Sequence, residues 1–96
     1  IHVIDPYKWV EKSKTKVPGY RVHGIAWAEE EGNIWAADTA MGVVSKIRLK
    51  DGRVYDSFRV SDPVQVHGMT IKDSVLWYCD DRRPIGILDV SMEPDF

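Results

Sequence analysis

The residues of this chain best suited to chemistry are His23 and His67, each followed by glycine and an apolar run. A neutral imidazole near physiological pH can bind a transition metal or pass a proton. Twelve residues beyond His23 and ten beyond His67 the chain reads Trp-x-x-Asp, as Trp35 to Asp38 and Trp77 to Asp80. Carboxylates so placed can fix the tautomer of a metal-bound imidazole. Asp81-Arg82-Arg83 adds guanidinium forks that suit an anionic ligand. The candidate ligand surface therefore comprises Tyr20, Arg21, His23, Asp38, Met41, Gln65, His67, Asp81 and Arg82, with His23 and His67 as candidate ligands to a divalent metal ion. No catalytic residue is assigned. Each feature also has a plain structural reading. The histidines can hydrogen-bond a neighbouring sheet, Asp38 and Asp80 can cap turns, and Asp81 can pair with an adjacent arginine. Trp35 and Trp77 suit the space between sheets, because indole rings supply large buried area. Cys79, flanked by Tyr78 and Asp80, reads as a buried structural thiol; a nucleophile needs an electropositive, partly exposed setting.

The elements that must position these residues repeat. The histidines are 67 − 23 = 44 residues apart and the tryptophans 77 − 35 = 42. A period in the forties with several short strands in each is the mark of a β-propeller blade. In the first copy, strand A runs from Val22 to Trp27, B from Ile34 to Ala37, C from Val43 to Leu49 and D from Arg53 to Val60. Glu29 to Asn33, Asp38 to Gly42 and Lys50-Asp51-Gly52 are the turns, the last a strong hairpin signal. The small residues Gly24 and Ala26 share one side of strand A and would let a neighbouring blade approach closely. The second copy supplies A, B and C at Val66 to Ile71, Val75 to Cys79 and Ile85 to Val90. Trp9 to Lys16 matches Arg53 to Val60 and reads as a lone outer strand, with Ile1 to Asp5 resembling the end of a C strand. The basic run of Lys8, just before it, with Lys12, Lys14 and Lys16 suits an exposed sheet edge.

The strand order D–ABCD–ABC predicts an all-β fold of two four-stranded blades per chain. Residues 1–96 form one unit: 1–17 an outer strand donated to a neighbouring subunit, 20–60 blade one, 64–90 the first three strands of blade two. Two blades leave apolar faces open, and roughly three or more repeats are needed for stability. Head-to-tail association of three copies would close a six-bladed ring. The alternative is a fragment of a longer propeller protein.

With the strands in place, His23-Gly24-Ile25, Ile34-Trp35-Ala36-Ala37-Asp38-Thr39, Gly42 and Asp51-Gly52 resemble the blades of the NHL, regucalcin/gluconolactonase and virginiamycin B lyase-like propellers. The resemblance covers most of residues 20–90. It implies strand A along a central channel, with the D–A and B–C connections sharing one face beside it. It also implies two activities. Gluconolactonase-like enzymes hold a divalent cation through glutamate, asparagine and aspartate; no glutamate or asparagine here matches, Asn33 belonging to a turn at the other end. Virginiamycin-type lyases use histidines and a glutamate with magnesium, and only His23 and His67 correspond. The expectation is an oligomeric binding scaffold with a small-molecule or partner surface at the channel mouth, the alternative a metal-dependent lactonase or lyase-like enzyme.

Global composition narrows the partners. Thirteen basic against fifteen acidic residues give a net charge of −2, which offers no electrostatic case for nucleic acid. No stretch approaches the ~20 apolar residues of a membrane span. One cysteine excludes an intrachain disulfide and leaves the compartment open, with the cytoplasm as the expectation.

Overall fold

A computed structural model describes residues 1–60 and 65–80, together with the backbone of 83–89. The described chain is all-β and antiparallel, with no helix. Its strands are β1 (His2–Ile4), β2 (Glu11–Lys14), β3 (Val22–Trp27), β4 (Asn33–Asp38), β5 (Val43–Arg48), β6 (Val54–Arg59), β7 (Val66–Lys72), β8 (Val75–Asp80) and β9 (Arg83–Asp89). They form three sheets: the hairpin β1–β2, a four-stranded meander β3–β4–β5–β6, and a three-stranded meander β7–β8–β9. The turns fall where the sequence places its turn residues. Gly32, Gly42 and Gly52 all take positive φ at the ends of strands. The two-residue turn at Asp73 and Ser74 has positive φ at both positions, which suits the twist of a tight hairpin.

The sheets stack in three layers, and the middle strands of the central sheet are covered on both sides. That is why β4 reads Ile-Trp-Ala-Ala: a strand buried on both faces cannot alternate with polar residues. On the rear face Ala26, Trp35, Ala37 and Val44 pack with Val66 and Leu76 of the third sheet, joined by Met69, Ile71 and Tyr78 at the margin. On the front face Ile34, Ala36 and Ile47 meet Ile1, Val17, Val22 and Leu49. Trp35 and Leu76 are essentially inaccessible to solvent.

Strand β3 turns its small residues inward and its large ones outward. Gly24 and Ala26 are buried, while Ile25 and Trp27 stand exposed. Gly24 accounts for the inversion. A Cβ there would fall within 2.9 Å of the carbonyl carbon of His67 and 3.3 Å of the Gly68 Cα. The backbones of β3 and β7 are therefore in direct contact, a spacing only glycine permits.

The repeat extends to the hydrogen-bond register. Ile4 pairs with Glu11 as Ile47 pairs with Val54, an offset of 47 − 4 = 43, and both hairpins are bulged at the residue before that pair. Val22 faces Asp38 as Val66 faces Asp80, and again both ladders slip at the next position. Residues 1–17, expected to supply one outer strand, thus contain a hairpin with the register of β5–β6. It is held to the middle sheet by Thr15, whose Oγ1 donates to the Leu49 carbonyl.

One expectation is corrected. Cys79 is exposed, not buried. It shares a side of β8 with Trp77, and no other described sheet covers that side.

Candidate functional site

The paired ladder slips place the histidines. In β3, Val22 and Gly24 face consecutive residues of β4, so His23 is the extra residue of a β-bulge; His67 is its counterpart in β7. A bulge re-aims the side chain it carries. Because Gly24 brings β3 against β7, the two imidazoles meet edge to face, with ring centroids 4.0 Å apart and planes at 72°. Both side chains are solvent-exposed. Sequence spacing alone puts them 44 residues apart; the bulges and the glycine make them neighbours.

Beside them, Asp38 ties two connections together. Its Oδ2 accepts from the backbone N–H of Tyr20 at 2.5 Å and of Arg21 at 3.2 Å. Its Oδ1 accepts from Ala40 at 2.9 Å and Met41 at 3.0 Å. Burial opposes its ionisation, but the four N–H donors, Met41 foremost, outweigh that and hold the carboxyl below its ordinary range. Gly19, at φ +125°, makes room: a Cβ there would strike the Asp38 carboxylate. The arrangement recurs in the third sheet, where Gln65 N–H donates to Asp80 Oδ2 at 3.0 Å as Arg21 does to Asp38. Both aspartates are buried.

Asp38 therefore spends both oxygens on the backbone and serves the site as a brace. What it positions is a rim on which Tyr20, Arg21 and Met41 are exposed, next to the edge-to-face imidazole pair. The Met41 carbonyl is in turn held by Arg59 Nη1 at 3.0 Å, a brace that the spacing of residues in sequence did not reveal. Gln65 stands half-buried at the equivalent place in the second repeat. Asp81 and Arg82, also candidates, lie outside the described residues. The structure thus gathers His23 with His67, and Tyr20, Arg21 and Met41 around Asp38. Among the described residues no group of three or more His, Cys, Asp or Glu side chains is arranged to hold a metal ion. Among the described residues of one chain the site offers two imidazoles and a guanidinium.

At the opposite end of the strands lies a link that the sequence did not suggest. Glu29, in the β3–β4 turn, accepts from Ser74 N–H at 2.7 Å and Ser74 Oγ at 2.9 Å in the β7–β8 turn. It fastens the second and third sheets at that end. Compared with known protein families and with curated proteins, the chain matches none.

Proposed function

We propose that this chain is a two-blade unit of a β-propeller and that three copies close head to tail into a six-bladed ring. The ring is a binding scaffold, with its ligand surface at the mouth where Tyr20, Arg21, His23, Gln65 and His67 stand. The observation that carries this is the repetition of one device in successive sheets: a bulged histidine beside an aspartate that braces the preceding connection through backbone N–H groups. Repeating such a device around an axis gathers imidazoles at one opening, as the resemblance to NHL-like and lyase-like propellers implies. The stacked face-to-face sheets and the small residues of β3 at the β7 contact support the same reading.

The strands at the ends say how a composite blade would form. Its C position can be filled by β9 of one copy or β1 of the next. The β8–β9 ladder has six registered pairs and the β1–β2 ladder three, so β9 holds the position and β2 pairs beside it.

The test is mass and ligand response together. Light scattering after size exclusion gives a mass near three chains, and a monomeric mass refutes the ring. Imidazole NMR during separate titrations with Zn²⁺ and inorganic phosphate shifts the His23 and His67 signals in at least one titration, and the double variant His23→Ala/His67→Ala abolishes binding. Unmoved signals in both titrations refute these histidines as the site for either probe.

A further inference from the structure

Each chain satisfies the contact between its middle and third sheets internally and leaves a counterpart of each half of that contact at least partly open. The internal contact joins the rear face of the middle sheet (Gly24, Ala26, Trp35, Ala37) to the near face of the third sheet (Met69, Ile71, Leu76, Tyr78). By the repeat, the counterpart of that near face is Ile25, Trp27, Ile34 and Ala36 on the front of the middle sheet. The counterpart of the rear face is Gly68, Thr70, Trp77 and Cys79 on the far side of the third sheet.

Both counterparts have open ground. On the front face, β1–β2 covers Ile34 and Ala36 but leaves Ile25 51% and Trp27 65% exposed, beside a groove of about 480 Å³ that Val3, Leu49 and Ile71 help to line. On the far face, Trp77 is 43% exposed and a shallow apolar hollow of about 320 Å³ runs along Gly68, Thr70, Trp77 and Cys79. Trp35, the counterpart of Trp77, is 1% exposed because the third sheet covers it. The sequence has an indole at both positions, although among the described residues only Trp35 is covered.

We infer that the occupant of the front groove is the far face of β7–β8 from a second copy of this chain, so that Trp77 of one subunit buries against Ile25 and Trp27 of the next. The inference rests on the ring proposed above and assigns its interface. The two faces are different surfaces, so the contact is heterologous and propagates in one direction. The glycine geometry sets the docking point. Gly24 lies against the His67 carbonyl within the chain, so Gly68 would lie against the His23 carbonyl of the next copy. That contact would extend the imidazole pair around the opening.

The experiment uses Trp27→Glu and Trp77→Glu, both at exposed positions, with circular dichroism to show that each variant keeps the wild-type fold. Wild type has a three-chain mass and each variant alone has a one-chain mass. An equimolar mixture of the two gives a two-chain mass, because each variant retains the half that the other lacks. Gly68→Ala is a second route to the monomer, since among the described residues of its own chain the added Cβ meets only the Cys79 Sγ, at 3.3 Å. If wild type is oligomeric and the tryptophan variants keep its mass, the interface assignment is overturned while the ring stands. If the variants are monomeric but their mixture forms no dimer, the heterologous contact is overturned. A monomeric wild type overturns the ring and this interface together.

Discussion

At the scale of single residues, the most constrained side chain near the mouth is Asp38. Two backbone donors point at each of its oxygens. In Asp38→Asn one oxygen becomes an NH₂ group facing two N–H donors, so two hydrogen bonds are lost and no new acceptor appears. A cost of about 2 kcal/mol is expected, from the worth of charge-assisted bonds and the penalty of orphaned donors; urea denaturation measures it. The pH dependence has a definite sign. The folded-state pKa lies below the ordinary value of 3.8, so the Asp38 contribution is complete above that value and is lost as pH falls through the lower, folded one. The wild type should therefore lose stability faster than Asp38→Asn on acidification below about pH 4, and parallel curves would show that Asp38 contributes nothing. Much of this was legible: Trp-x-x-Asp beside a turn motif announced a capping carboxylate. Its double use was not, because Tyr20 and Arg21 lie 18 and 17 residues before it in the chain.

At the scale of elements, alternation located the strands, and the turn glycines marked most of their ends. The bulges at His23 and His67 were not legible. A period-two pattern puts histidine on the same side as Ile25 and Trp27, and the residue types Val-His-Gly carry no mark of an extra residue in the ladder. Nor could the pattern say which of two equivalent tryptophans is covered, since that depends on the neighbouring sheet. The difference is measurable. Trp35→Ala removes a ring buried between two sheets and should cost about 3–5 kcal/mol. Trp77→Ala, at an exposed position, should cost about 1 kcal/mol in dilute, unassembled chain. Equal losses would mean that Trp77 is as well packed as Trp35. The buried thiol expected at position 79 failed for the same reason: β8 has a covered side and an open one, and strand composition did not distinguish them.

At the scale of the whole molecule, the open ground on both outer faces is mainly apolar, and of the ion pairs among the described residues only His2 with Glu11 borders it, His2 lining the front groove; neither Lys46–Glu30 nor Arg48–Asp51 lines either hollow. Association through those faces should resist salt, since screening weakens charge contacts and leaves hydrophobic burial intact. A mass unchanged between low and high sodium chloride is expected, and dissociation at high salt would point to a charged interface instead. The all-β architecture and its internal repeat were readable from the sequence at this scale. The front groove was not, because Ile25 and Trp27 look like ordinary core residues until the neighbouring layer is seen to stop short of them.

The shared register of β1–β2 and β5–β6, bulge included, bears on how such a chain can change over generations. Unequal recombination between the two repeats would add or remove about one sheet at a time and rejoin strands already in phase. Shorter insertions inside a strand would shift a ladder and turn its buried side chains to the opposite face. Inherited changes of length should therefore come in two kinds: whole modules of some 43 residues, 47 − 4 by the hairpin register, and small adjustments within turns. The repeats already differ in the second way, for the turn at Asp73-Ser74 is shorter than its counterpart at Glu29 to Gly32 while the histidine bulge in the preceding strand keeps its place in both.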